Sequence, residues 1–250
     1  MSDGSIQSVL KALQVLELFA EEPGWSLTEI SRELHYPTST THRLVMTLEE
    51  AGYIYRDHES KKYYLTIKPY LIGSKTKIVN LLKKHARAPI IALSQAMNES
   101  VNVSIAQGLF SVTVLKADSE RQFSAVPHVG DKGHLHATSV GKCLLAFNSN
   151  GCFDQFISSR EPLHVYTQNT IKDKNSVLKV LEEVRKQGYA TDQEEVEEGL
   201  TCVGAPIFDH LDNCIAAMSV SVPTFRLGDK EKIVSMVKAT TEEISMKFRF

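Results

Sequence analysis

Two helical periods separated by only a few residues constrain this chain more than any other feature. Ser26 opens an S-x-x-E capping box with Glu29, and Leu27, Ile30 and Leu34 follow on one face, which predicts a short helix. A tight turn at His35-Tyr36 leads to Pro37, whose fixed φ suits the first turn of a second helix and whose missing N–H costs nothing there. In YPTSTTHRLVMTLEEAG, from Tyr36 to Gly52, the residues Thr41, Leu44, Leu48 and Ala51 recur as an inward face. Thr38, Ser39, Thr40, His42 and Arg43 then supply hydroxyls, one imidazole and one guanidinium near a helix N-terminus, the groups that reach phosphates and guanine edges. An ordinary threonine-rich surface helix is the plain alternative, so the flanking segments decide.

Upstream, Ile6, Val9, Leu10, Leu13, Leu16 and Ala20 step by three and four as an amphipathic helix that Glu22-Pro23-Gly24 closes. Downstream, Tyr53 to Arg56 and Lys62 to Leu65 read as two strands about a polar turn at Asp57 to Ser60. Three helices and a hairpin are the order of a winged helix-turn-helix, with Arg56, Lys61 and Lys62 where a wing needs cations for the sugar-phosphate backbone. A charge-protected hairpin edge is the competing explanation for those three. The formal charge of −2 carries no global nucleic-acid signature, so local charge must do the work. It is unevenly spread: the first 59 residues are net acidic, whereas no acidic residue falls between Ser60 and Asn98. From Gly73 to Met97 the pattern is helical, with an interruption at Pro89, and suits a connecting helix that also carries a dimer contact.

The second half changes character. Val101 to Ala106 and Val112 to Ala117 alternate as a strand pair around Gly108, and Val203 to Phe208 and Ile215 to Val222 read as further strands. Ser139 to Phe147, Lys174 to Lys186 and a terminal segment from Gly228-Asp229 to about Met246 read as helices. Antiparallel hairpins without βαβ repeats predict an α+β fold with a sensor-like second domain. No basic-plus-apolar leader and no apolar run near twenty residues is present, which predicts a cytoplasmic protein with no membrane partner. Cys143, Cys152, Cys202 and Cys214 lack CxxC spacing and read as thiols, three of them structural.

No constellation calls for catalysis. In GHLHATSVGKC the glycines of Gly133 and Gly141 are too far apart for a phosphate loop, and Cys143 stands where Ser or Thr would bind Mg²⁺. A triad of Ser139, His136 and Asp192 lacks the G-x-S-x-G surroundings of a nucleophile elbow. His128, His134 and His136 offer His-x-His spacing, a weak metal signal, so neither a metal nor another cofactor is predicted.

SIQSVLKALQVLELFAEEPGWSLTEISRELHYPTSTTHRLVMTLEEAGYI is similar to the winged helix-turn-helix of the IclR-type bacterial transcriptional regulators. HLHATSVGKCLLAF, GYATDQEEVEEGLTCVGAPIFD and AAMSVSVP look like the signatures of that family's effector-binding domain, so the resemblance runs nearly end to end. Two departures are His35, where the family usually has a turn glycine, and Thr41, where an aliphatic residue is usual. The resemblance implies a winged helix-turn-helix domain over residues 5–70, a linker helix over 71–98 and a GAF/profilin-like α/β effector-binding and oligomerisation domain over 99–250. It also implies a homodimer or dimer of dimers on a double-stranded operator, switched by a small organic acid. Carried over motif by motif, the effector cup would be lined by Ser139, Val140, Gly141, Asp192, Cys202, Ser219 and Ser221. A helix N-terminus offers N–H groups to a carboxylate, and S-V-S on a strand puts both hydroxyls on one face. The reading is therefore a ligand-responsive regulator of a metabolic or catabolic operon, repression being favoured over activation. The alternatives are an enzyme or metabolite-binding protein with a vestigial DNA domain and, further behind, a zinc-dependent sensor using His134, His136 or Cys202.

Overall fold

The structure is a computed structural model and describes residues 5–119 and 127–249. The chain forms two compact units, Met1–Asn80 and Leu81–Phe250. The first begins with α1 (Gln7–Leu18), the two-residue strand β1 (Gly24–Trp25), α2 (Leu27–Glu33) and α3 (Thr38–Glu50). A hairpin of β2 (Ile54–Arg56) and β3 (Tyr63–Leu65) follows, then α4 (Lys68–Gly73). β1 adds to the hairpin in the antiparallel order β1-β3-β2.

The capping box forms in both directions: Ser26 N–H donates to Glu29 Oε2 at 2.7 Å and Glu29 N–H to Ser26 Oγ at 3.3 Å. The turn between α2 and α3 puts His35 at φ +53°, a left-handed conformation that is strained for a residue with a Cβ. Two bonds hold that turn, Ser31 Oγ to the Tyr36 carbonyl at 2.7 Å and Tyr36 N–H to the Ser31 carbonyl at 3.0 Å. Thr41 is buried with its hydroxyl on the Pro37 carbonyl at 3.2 Å, so a polar residue is tolerated at an inward position.

Two inward faces differ from their sequence patterns. α3 buries Thr41, Val45 and Leu48 while Ala51 is exposed, because the packing stripe is turned toward Val45. On α1 the buried residues are Val15 and Leu18, with Phe19 at its end, whereas Ile6, Val9, Leu10 and Leu13 are 67, 51, 44 and 49% exposed. The helix carries apolar residues on more than one stripe, and periodicity alone does not say which stripe meets α3. Ile30, Val45, Leu48, Ile54 and Tyr63 complete this core, and Trp25 Nε1 bonds the Leu18 and Glu22 carbonyls behind α1, both at 3.0 Å.

The boundary between the units falls in α5 (Lys77–Met97). Pro89 does not interrupt this helix: it is buried inside it, at the cost of one backbone donor. The second unit continues with β4 (Ser100–Gln107), β5 (Phe110–Ala117), β6 (Lys132–His134), α6 (Ser139–Ala146), α7 (Cys152–Ser158) and α8 (Lys174–Gln187). It ends with β7 (Ala190–Gln193), β8 (Leu200–Phe208), β9 (Cys214–Pro223) and α9 (Lys230–Met246). One six-stranded sheet, all antiparallel in the order β6-β5-β4-β9-β8-β7, joins them.

On one face α6, α7 and α8 bury Leu135, Leu144, Leu145, Phe156, Leu181 and Val184 against Ala106 and Ala217. The alternating set Val203, Ala205, Ile207, Met218 and Val220 points to the other face, where α9 crosses β8 and β9. α6 reaches its position through two close approaches. A Cβ on Gly141 would lie 2.4 Å from the Leu135 carbonyl oxygen, and one on Gly204 would lie 3.2 Å from Ser139. Gly141→Ala is expected to lower stability by about 1–3 kcal/mol, measured by chemical denaturation; an unchanged midpoint would contradict this account of how α6 seats.

Candidate functional sites

In the first unit, Thr38, Ser39, His42 and Arg43 are exposed on α3 and Thr40 is half-buried. No side chain caps the start of α3, so its first N–H groups stay with the exposed hydroxyls as an anion-seeking end. The wing turn is closed by Asp57 N–H on the Lys62 carbonyl at 2.8 Å and by Ser60, which donates from Oγ and N–H to Asp57 Oδ2 at 2.6 and 2.7 Å. Those bonds hold the Asp57 carboxyl below the usual carboxylate range. Lys61 is exposed at this turn with φ +59°, and the exposed Arg56 guanidinium sits 5.8 Å from the Tyr63 ring centroid.

Lys62 departs from the wing role expected for it. Its Nζ turns back onto Glu29 Oε1 and the Gly24 carbonyl, both at 3.4 Å, and so braces the hairpin against the capping box of α2.

In the second unit, cross-strand register assembles the cup residues. Directly opposed residues of an antiparallel pair share a face. Asp192, Cys202, Ser221 and Ser100 therefore make one row across β7, β8, β9 and β4. Gly204, Ser219, Asn102 and Lys116 make the next, across β8, β9, β4 and β5. Ser139, at the start of α6, lies over Gly204. Thr138 caps α6 by accepting from Gly141 N–H at 3.0 Å, which leaves Ser139 and Val140 as the turn's remaining N–H donors. Gly141 is thus spent on packing and on the cap, while Ser139, Asp192, Cys202, Ser219 and Ser221 meet on one polar surface.

Asp192 is buried, its Oδ1 accepts Glu195 N–H at 2.8 Å, and burial pushes its carboxyl up to about 6. The Cys202 thiol donates to Ser221 Oγ at 3.3 Å; burial, then the Asp192 charge, push it up to about 12. Cys143, Cys152 and Cys214 are buried free thiols, raised by burial.

Three residues of this region were not anticipated from sequence. Lys142, 1% exposed, donates Nζ to the Thr191 carbonyl at 2.8 Å and to Glu195 Oε1. Asn102 and Lys116 join through register, Lys116 Nζ pairing with Asp118 Oδ1 at 2.7 Å. For Asn102 a signal existed: VNVSIA alternates, and its polar set had to face something.

The histidines have their own partners. His134 Nδ1 lies 2.6 Å from Tyr166 Oη, His136 Nε2 donates to the His164 carbonyl at 2.9 Å, and the His134 and His164 rings stack at 4.8 Å. Neither His136 nor Asp192 has Ser139 as a hydrogen-bond partner among the described residues, so no nucleophile triad is assembled. Among those residues no group of three or more His, Cys, Asp or Glu side chains is placed to hold a metal ion.

A winged-helix DNA-binding unit followed by a ligand-domain sheet is the architecture of a one-component transcription regulator. Residues 8–58 match the IclR helix-turn-helix domain, and residues 76–246 match the family described as bacterial transcriptional regulator IclR C-terminal. The chain belongs to the IclR family of bacterial transcriptional regulators, ligand-responsive DNA-binding proteins. It is 32% identical over 244 residues to the HTH-type transcriptional regulator KdgR of Escherichia coli K12, covering 96% of this chain and 92% of that one. It is 28% identical over 250 residues to the transcriptional repressor IclR of the same organism, covering 98% and 91%. The fold also matches a crystal structure of an IclR homolog complexed with 4-hydroxybenzoate from Microbacterium hydrocarbonoxydans. There the TM-score is 0.83 at 20% identity, over 97% of this chain and 99% of that one.

Because the folded Asp192 binds its proton more tightly than an ordinary aspartate, wild-type stability falls as pH rises from about 4 to about 6. Asp192→Asn lacks that loss. Denaturation curves are expected to diverge in the variant's favour by roughly 2–3 kcal/mol across that window and to run parallel above pH 7; parallel curves throughout would contradict the burial argument.

Proposed function

We propose that this chain is a repressor of a metabolic or catabolic operon and that a small organic acid in the second unit controls its grip on an operator. The observation that supports this most is the co-occurrence, on one chain, of an uncapped α3 start flanked by exposed hydroxyls and Arg43 with a buried polar floor beneath the start of α6. Thr38, Ser39, Thr40, His42 and Arg43 read the operator; Arg56 and Lys61 hold the backbone, with Lys62 acting as a brace. Ser139, Val140, Asp192, Cys202, Ser219 and Ser221 receive the acid, and no step of chemistry is performed on it. Repression follows the names of relatives such as the transcriptional repressor IclR. Among the described residues no helix is long and apolar enough to cross a membrane, in keeping with a cytoplasmic site of action.

The working form is a homodimer or a dimer of dimers. Ile6, Val9, Leu10 and Leu13 form an exposed apolar stripe on α1 that a second copy would bury. Two-fold related α3 helices then meet half-sites about 34 Å apart or a multiple of that.

Gel-shift or anisotropy titration of DNA upstream of the gene and its neighbouring operons tests the DNA arm. A competitor-resistant complex is expected, and none on any such fragment would refute specific regulation. Arg43→Ala should weaken operator binding by about 1–3 kcal/mol with little effect on random DNA, whereas Lys61→Ala should lower the salt slope by about 1 on both. Lys62→Ala should leave that slope unchanged, since its charge is paired with Glu29. Sedimentation of Leu13→Glu should show a shift toward monomer relative to the wild type; an unchanged distribution would remove α1 from the interface.

A further inference from the structure

Asn102 carries an open hydrogen-bonding group on the polar floor. It is 2% exposed at the middle of the sheet, between Lys116 on β5 and Ser219 on β9, and its Oδ1 is buried without a hydrogen-bond partner among the described residues. Several nearby groups are committed elsewhere. Lys116 pairs with Asp118, Cys202 donates to Ser221, and Lys142 is spent on Glu195 and the Thr191 carbonyl. A second acceptor, Glu195 Oε2, is also buried and, among the described residues, unpartnered, beyond the Asp192 end of the floor. Buried acceptors left unmade destabilise a protein, and native folds keep few of them.

We propose that Asn102 is a specificity-determining residue, and that the effector is a hydroxy acid whose hydroxyl donates to Asn102 while its carboxylate lies at the start of α6. This rests on the acid-effector reading above and narrows it. The donors remaining at Ser139 and Val140 suit a carboxylate, and a carboxylate has no proton to offer Asn102. A hydroxyl both donates and accepts, so it satisfies the amide whichever way the side chain is turned. Spacing sets the separation between the two groups. Gly204, under Ser139, lies two strands from Asn102 in the same row, about 10 Å at ordinary strand spacing. Side chains from both sides shorten the gap, so the hydroxyl belongs several bonds from the carboxylate and not on the adjacent carbon. A site built around such a hydroxyl rejects the analogue lacking it, because the analogue seals the acceptor away from water with no partner.

Matched acids separate this inference from the reading beneath it. The full-length protein is titrated calorimetrically with 5-hydroxypentanoate against pentanoate, 4-hydroxybenzoate against benzoate, and D-gluconate against hexanoate. At least one hydroxylated acid is expected to bind at least about tenfold more tightly than its partner. In Asn102→Leu, checked for folding by its thermal melt, that preference should collapse, the hydroxylated acid losing affinity and the unhydroxylated acid gaining it as the unpaired acceptor is removed. Equal or tighter binding of the unhydroxylated acids to the wild type would overturn the role of Asn102 and leave the acid-effector reading standing. A preference that survives in a folded Asn102→Leu would overturn it equally. Binding of none of the six acids would remove the acid-effector reading and this inference with it.

Discussion

Lys142 meets Glu195 with almost no water between them and the rest of the core. Its ammonium comes from the first turns of α6, crosses to β7 and ends on the Thr191 carbonyl and the Glu195 carboxylate. Removing a charge of this kind from water costs several kcal/mol, so the pair is a poor source of net stability. Its consequence is positional. With either partner absent the other charge would be stranded, so α6 and the segment after β7 are held in one arrangement. That arrangement keeps Ser139 over Gly204 and Asp192 in line with Cys202 and Ser221.

The floor beneath α6 follows from this. β4, β8 and β9 each alternate so that apolar residues feed the α9 face while Asn102, Cys202, Ser219 and Ser221 share the other. Elsewhere on that second face the helices α6, α7 and α8 supply apolar cover. Where the cover gives way to polar groups, a thiol, hydroxyls and an elevated carboxyl are left in a low-dielectric setting in which hydrogen bonds discriminate strongly. The first unit uses the same economy in smaller form. One capping box starts α2, and its Glu29 also receives Lys62 from the wing, so helix start and hairpin are braced by a single carboxylate.

What was legible in the sequence was set by local chemistry. The Ser26–Glu29 box, the hairpin about Asp57 and the strands β4, β5, β8 and β9 follow from capping, turn and alternation rules within a few residues. α1 was legible as a helix but not in its orientation, since both of its stripes are apolar and only α3 chooses between them. β1, β6 and β7 have two to four residues each, too few to show a period, and exist because a neighbouring strand offers an edge. Pro89 reads as a break because local rules ignore the burial that holds the helix through it. Among cup residues, the motif-borne positions could be named in advance. The alternation of VNVSIA marks Asn102 as polar-facing without saying what it faces, whereas Lys116 gains its place from pairing across strands and Lys142 from a partner 53 residues away, which no local pattern announces.

The central claim is that occupancy of the second unit changes DNA affinity in the first. Linkage requires the coupling to be mutual: an acid that alters operator affinity by some factor must have its own affinity altered by the same factor when operator is bound. The direct measurement is operator titration by fluorescence anisotropy at rising concentrations of an acid shown to bind, paired with acid titration of the protein with and without operator. The account predicts a weakened operator complex and equal coupling factors, of about 5–150-fold, in both directions. An acid that binds the second unit tightly while operator affinity stays constant would contradict it.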